Sequence, residues 1–225
     1  MIQETDCWEY EDITLALNSE LPFWPQSYGV RLEWRKLLTA GHDCNASILH
    51  CDIHAGTHLD APYHHLSDGH DVTGFDLAQL CGSARVVDIP GVRSIQPDDL
   101  DRIDVPDKCK RLLIRTENNR LWRSAQHASF FPGYTALSEA GARWVVERKI
   151  SLVGIDYLSI QPFQSEPLVH QILLDAGTAV LEGIDLNGVE SGAWELICLP
   201  LRLVGAEGSP VRAILRRPAK KTAGE

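Results

Sequence analysis

The stretch HAGTHLDAPYH, residues 54–64, decides how this chain is read, because it puts three histidines and one aspartate into eleven positions. His54 and His58 are four apart, as are Asp60 and His64, so on a helix each pair would share a face. Gly56 and Pro62 argue against a helix. Glycine costs helix stability, and proline lacks an N–H and pushes Ala61 toward extended geometry. The segment therefore reads as a tight loop that turns at Ala55-Gly56-Thr57 and again at Ala61-Pro62, folding His54, His58, Asp60 and His64 toward one point. Imidazole and carboxylate without thiolate suit zinc, manganese or iron.

Outward from the loop, residues 47–54 (SILHCDIH) alternate, with Leu49, Cys51 and Ile53 on one face and His50, Asp52 and His54 on the other. This strand delivers His54, and His50 or Asp52 could orient a ligand from behind. EDITLAL (11–17) and residues 30–34, with Val30, Leu32 and Trp34 in step, read as half-buried strands. ARVVDI (84–89), RLLIRT (111–116) and SLVGID (151–156) are short apolar runs, the pattern of strands covered on both faces. YTALSEAGARWVVERK predicts a helix capped by Thr135, and SEPLVHQILLDAG predicts a second, capped by Ser165 and ended by Gly177. On the second helix His170 falls between Leu173 and Leu174, on a mostly apolar surface. In the strand that follows, Glu182 comes directly after Ala179-Val180-Leu181. A carboxylate buried there must be paired, protonated or metal-bound. The order of helices and strands is that of an α/β domain.

The 225 residues carry a formal net charge of -10 and no basic patch, which excludes a nucleic-acid backbone as partner. No linker or repeat interrupts the chain, so a single domain over 1–225 is expected, with the basic stretch 216–225 as a flexible tail. MIQETDCWEYED lacks the basic start and apolar run of a leader, and about eighteen apolar residues never run together. A cytoplasmic protein with no membrane partner is expected. The six cysteines form no CxxC pair and are expected to be reduced.

HAGTHLDAPYH resembles the signature H-x-[GT]-[GA]-[TA]-H-x-D-x-P-x-H of the metal-dependent cyclase family, which includes bacterial kynurenine formamidase and isatin hydrolase. The segments EDITLALNSELPFWP, FPGYTALSEAGARWVVERKISLVGIDYLSIQP and AVLEGIDLNGVESGAWELICLPLRLVGAEGSPVRAIL extend the resemblance over nearly the whole chain. It implies a swivelling β/β/α fold with a central barrel-like mixed sheet flanked by helices, assembled as a homodimer or higher oligomer. It also implies that His54, His58 and Asp60 hold one zinc, and that Asp60, His64, His170 and Glu182 hold a second. Other members use the first triad for a single metal, commonly manganese, and leave His64 free to act on the proton. The implied cofactor is thus Zn2+, one or two per chain, or Mn2+.

A divalent ion lowers the pKa of a bound water and polarises the carbonyl under attack, which is what hydrolysis of a small amide or lactone needs. His64, Asp60 and Glu182 are the candidates for relaying the proton, and the sequence leaves their roles open. The same ligands would serve a cyclase or dehydratase acting on a biosynthetic intermediate, or a non-catalytic metal-binding module. A thiolate-free set sharing a carboxylate favours an open catalytic site over a closed structural one. Phe23, Trp24 and Tyr28 are expected to line the mouth of a small-molecule pocket. In the formamidases Trp-Pro is followed by Gly-Asp; here Trp24-Pro25 is followed by Gln26-Ser27. The best substrate is therefore expected to be a small amide or lactone other than formylkynurenine.

Overall fold

Short strands with apolar residues on both faces build a sheet that closes on itself. The structure is a computed structural model that describes residues 7–123 and 129–219; the readings made above for residues 1–6 and 220–225 lie outside the described residues. Its strands are β1 (Trp8–Asp12), β2 (Val30–Lys36), β3 (Ala46–Cys51), β4 (His58–Asp60), β5 (Cys81–Asp88), β6 (Ser94–Ile95), β7 (Arg111–Arg115), β8 (Ala136–Leu137), β9 (Leu152–Ile155), β10 (Ala179–Glu182), β11 (Gly192–Pro200) and β12 (Gly208–Pro218). Its α-helices are α1 (Leu77–Leu80), α2 (Pro97–Asp101), α3 (Glu139–Glu147) and α4 (Leu168–Asp175). The main sheet runs β12-β11-β5-β7-β9-β10-β4, and β4 pairs back onto β12 to complete a mixed barrel, with β1 added on the outer edge of β12. The pairings β5–β7–β9–β10 are parallel, and those of β4, β11 and β12 are antiparallel. This is the barrel-like mixed sheet that the sequence led us to expect.

Alternation along the strands divides the core in two. Leu59, Val86, Leu113, Leu152, Leu181 and Leu196 pack together on one face. Their neighbours Val87, Leu112, Ile114, Val153, Ile155 and Val180 face the other way and pack with Leu137, Val145 and Leu173, the last two on α3 and α4. Each such side chain gains about 2 kcal/mol from leaving water, so a one-residue slip in any strand would exchange the two faces.

This register positions the site. In β4 the apolar Leu59 joins the first cluster, so His58 and Asp60 point to the α4 side, and Glu182 lies opposite His58 across the β10 pairing. The segment is thus not only a loop: His58–Asp60 is a strand held by β10 on one side and β12 on the other. The preceding turn docks by close backbone approach, since a Cβ on Gly183 would lie 2.1 Å from the Gly56 carbonyl oxygen. Both glycines are left-handed, with φ +64 at Gly56 and +66 at Gly183. The Thr57 hydroxyl donates to the Gly183 carbonyl at 2.6 Å and accepts from Leu15 N–H at 2.9 Å.

Several local expectations change. Ile13 and Leu15 are buried, but 13–17 is not a strand, because Thr14 takes the Ala213 main chain with its hydroxyl and Leu15 N–H goes to Thr57. Ser138, not Thr135, caps the first long helix by accepting from Gly141 N–H; Thr135 is tied to Asn118 and Val92. Ser165 caps nothing, since its hydroxyl donates to the Pro162 carbonyl and α4 begins after Pro167. Within the stretch expected to be a tail, the described residues include strand as far as Pro218. Arg216 and Arg217 are strand residues paired to β1, where Arg217 meets Glu9 and Glu190, and Arg216 meets Glu195 and lies 4.2 Å over the Trp8 ring. Finally, β2 and β3 form a separate hairpin on which Leu32, Trp34 and Leu49 share one face and are each about half exposed.

Candidate metal centre

Four polar side chains that ordinary packing would keep in water meet behind the barrel wall: His58, Asp60, His170 and Glu182 are all at most 5 % exposed. Asp60 is their hub. Its Oδ1 lies 2.9 Å from His54 Nδ1 and 3.5 Å from His58 Nε2, and its Oδ2 lies 3.4 Å from His170 Nε2. Glu182 closes the ring, at 3.4 Å from His58 Nε2 and 3.1 Å from His170 Nε2. Its Oε1 also accepts from Ile160 N–H at 2.7 Å. Potential ligand atoms therefore converge in two groups that share Asp60, namely His54, His58 and Asp60, and Asp60, His170 and Glu182.

The donor set fits a cation. His58 Nδ1 faces the Gly56 carbonyl at 2.9 Å and so keeps its proton, which leaves Nε2, on the carboxylate side, as the nitrogen available to a metal. His170 Nδ1 is backed by Gln161 Oε1 at 3.4 Å. Buried polar atoms normally find partners, yet His54 Nε2, His58 Nε2 and Asp60 Oδ2 have no hydrogen bond. Burial alone would raise the Asp60 carboxyl, but contacts with His170 and His54 outweigh it and hold the group well below the usual range. Burial likewise lowers His170, and the facing Asp60 and Glu182 carboxylates overcome that and push it up to about 10. His58 is raised in the same way, against its burial, by Glu182 and Asp60. Without a metal, protons on these imidazoles offset two buried carboxylates; a divalent cation would take over that role.

His64 lies beside this centre without entering either group. Its ring is 4.1 Å from His54 and 6.0 Å from His170. Burial lowers it to about 4, so it is neutral at pH 7. The centre borders a cavity of about 610 Å³ lined by His54, His58, His64, His170 and Glu182 and also by Trp24 and Phe163. Trp24 sits edge-on to Phe130 at 5.0 Å and to Phe163 at 5.4 Å. Of the three aromatics expected at the mouth, Trp24 alone lines it. Phe23 packs under Gly29, and Tyr28 is exposed and accepts from Arg31. His50 is engaged by Glu33 and Asp52 by Gly29 N–H, so neither backs the centre.

The cavity also uses residues that the sequence reading passed over. His65 stacks on His170 at 4.6 Å, and Gln161 backs the same ring. The doubled histidine at 64–65 was the available signal for the first; nothing local marked the second. Gln26 lines the cavity from the turn that replaces Gly-Asp. Its φ is +74, the left-handed conformation that glycine adopts freely, in a turn closed by Ser27 N–H to the Trp24 carbonyl at 3.0 Å. The backbone of that turn thus suits glycine, while the side chain is a carboxamide.

The Cyclase family profile matches residues 11–162, which contain the turn at Gln26, the motif and Gln161. The chain belongs to the Cyclase family. It is 36% identical to Cyclase-like protein 1 of Arabidopsis thaliana, covering 91% of this chain and 83% of that protein. It is 34% identical to the kynurenine formamidase of Bacillus mycoides, covering 92% and 97%. Among solved structures, a predicted metal-dependent hydrolase from Bacillus stearothermophilus superposes with TM-score 0.79 at 26% identity, covering 93% of this chain and 98% of the other. Isatin hydrolase A from Ralstonia solanacearum, at 18% identity and TM-score 0.77 over 93% and 92%, shares the fold. No helix among the described residues of this Cyclase-family chain is long and apolar enough to cross a membrane.

Proposed function

We propose that the chain is a metal-dependent hydrolase of a small amide or lactone, acting on C–N bonds other than peptide bonds or on C–O bonds. The observation that carries this reading is the buried, thiolate-free cluster organised around Asp60, which borders a cavity also lined by Trp24 and Phe163. Its resemblance to a kynurenine formamidase supports the same chemistry. Zinc, at one or two positions per chain, suits three imidazoles and two carboxylates, with manganese the second choice. His54, His58 and Asp60 would hold one ion; Asp60, His170 and Glu182 would hold the other. A bound ion supplies Lewis-acid polarisation of the substrate carbonyl and a water of lowered pKa.

The chain's own groups do the rest. Trp24 and Phe163 present flat apolar surface to a ring. His64, neutral and beside the cluster, takes a proton from the attacking water and returns it to the leaving amine or alcohol. Asp60 and Glu182 stay ionised, so they orient the ligand imidazoles and do not donate.

Substrate choice follows from the lining. Beyond the histidines and Glu182, its polar side chains among the described residues are uncharged, supplied by Gln26, Ser27, Ser159, Gln161, Gln164 and Ser165. None of these six carries a charge to pair with the carboxylate or ammonium of an amino-acid substrate. A panel of N-formyl anilines, cyclic amides and lactones, assayed with zinc- or manganese-loaded protein, should therefore give a higher kcat/KM for one of its members than for formylkynurenine. Formylkynurenine outperforming all of them would overturn the substrate reading. No turnover of any panel member would overturn the hydrolase reading itself.

The chain is also read as a homodimer in the cytoplasm. Leu32, Trp34 and Leu49 give the β2–β3 hairpin an exposed apolar face of the kind a second copy covers. The six cysteines are unpaired, as in a reducing compartment.

A further inference from the structure

Of the histidines in the two ligand groups, His54 is the one with a carboxylate at each nitrogen. Nδ1 is 2.9 Å from Asp60 Oδ1, and Nε2 is 3.5 Å from Glu207 Oε1. A neutral imidazole has one proton and one lone pair, so the nitrogen that keeps the proton decides which one can ligate. For His58 the Gly56 carbonyl settles the matter, and Gln161 Oε1 faces Nδ1 of His170. For His54 the contest is between Asp60 and Glu207.

Glu207 is placed for this role by its backbone. It immediately precedes β12, and its carbonyl accepts Ala61 N–H at 2.8 Å, tying it to the residue after Asp60. The chain then runs along the edge of the His54 ring, so that a Cβ on Gly208 would lie 3.3 Å from His54 Cε1. The ring is further confined by His64 at 4.1 Å and by His58 at 5.0 Å. His54 Nε2 is buried and makes no hydrogen bond, so a proton placed on it faces Glu207 Oε1 at 3.5 Å. A carboxylate behind a ligating histidine fixes its tautomer and raises its basicity.

We propose that Glu207 is a positioning residue of the centre: it accepts the Nε2–H of His54 and so leaves the Nδ1 lone pair for the metal. This rests on the metal-centre reading above. In the metal-free chain the close Asp60 contact draws the proton to Nδ1. On loading, the proton is carried by Nε2, and Glu207 accepts it.

The test uses the full-length chain with 15N-labelled histidine, metal-free and zinc-loaded, with long-range 1H–15N spectra to read the His54 tautomer and chelator competition to read zinc affinity. The expected result is Nδ1–H in the free wild type and Nε2–H in the loaded one. Glu207→Leu should weaken zinc binding about 10- to 100-fold. Glu207→Gln, which keeps an accepting oxygen, should recover most of that loss. Because the Glu207 side chain is 39% exposed, both variants are expected to fold, and circular dichroism checks this. Glu207→Leu binding zinc as tightly as wild type, with the same loaded tautomer, would overturn the role of Glu207 alone. Failure of wild type to bind zinc would overturn the metal centre, and with it this inference.

Discussion

The metal-centre face of β4 and the outer face of the β2–β3 hairpin break the rule of burial in opposite directions. At the first, Asp60 and His58 are fully buried beside Glu182 and His170. At the second, Leu32 and Trp34 are each 52% exposed. Both arrangements cost free energy in an isolated chain: charged groups taken out of water in one case, hydrated apolar surface in the other. Each becomes favourable once something absent from the single chain is added, a cation in one place and an apolar surface in the other. The β2 segment reads in sequence as an alternating strand and the β4 segment as a tight loop, and neither pattern by itself says which face turns inward.

The comparison is tested hardest at Asp60. Asp60→Asn removes the hub charge and an anionic ligand, so kcat should fall by roughly three orders of magnitude or more and metal content should drop. Asp68→Asn, in the following turn, should be mild. Metal content, circular dichroism and kcat are measured side by side, and an Asp60→Asn protein that keeps its metal and its turnover would remove the centre from the comparison.

At the hairpin, Trp34→Lys combined with Leu49→Lys should weaken self-association about a thousand-fold, roughly 4 kcal/mol. Light scattering should then show the mass falling from two copies to one, 25.0 kDa. A wild type that is already monomeric would leave the exposed apolar face without the partner assigned to it.

Asp156 sharpens the contrast between buried carboxylates with and without facing imidazoles. Burial pushes it up to about 6, against hydrogen bonds from Thr116 N–H at 2.6 Å and its hydroxyl at 2.8 Å. A folded-state pKa above the unfolded one contributes stability below about pH 4 and loses it as pH rises through 6. The wild-type stability relative to Asp156→Asn should therefore fall by about 2 kcal/mol between pH 4 and pH 7. Urea midpoints at pH 4 and pH 7 give this difference. An unchanged difference would mean that Asp156 titrates as if exposed.

The smallest effect is at Gln26. A non-glycine residue in the left-handed region costs roughly 1 kcal/mol, so Gln26→Gly should raise stability by no more than about that while KM rises as the carboxamide leaves the cavity. Thermal melts and steady-state kinetics separate the two. A change in kcat with KM unaltered would place Gln26 outside substrate binding.

Much of this was legible in the chain. The runs 84–89, 111–116 and 151–156 contain strands covered on both faces, and the HAGTHLDAPYH spacing brought His54, His58 and Asp60 together because Gly56 and Pro62 forbid a helix there. His170 and Glu182 were readable only as misfits in apolar surroundings. Their meeting with Asp60 depends on the β10–β4 register and on where α4 packs, which no local pattern encodes. Local competition hid other features. Thr135 and Ser165 looked like caps but had stronger partners elsewhere, and Phe23 and Tyr28 shared the composition of a pocket wall without its position. Glu207 carried no signal at all, because it reaches His54 only through the closure of β12 onto β4.

The central claim is that the buried cluster around Asp60 is a metal centre that drives hydrolysis. The most direct measurement strips the wild-type protein with a chelator and adds zinc back in measured equivalents, following activity on the best panel substrate together with bound metal. The account predicts no activity in the stripped protein and recovery that rises with bound zinc and breaks at two equivalents per chain. A break at one would reduce the centre to a single ion on His54, His58 and Asp60. Full activity in protein shown by elemental analysis to be metal-free would contradict the account.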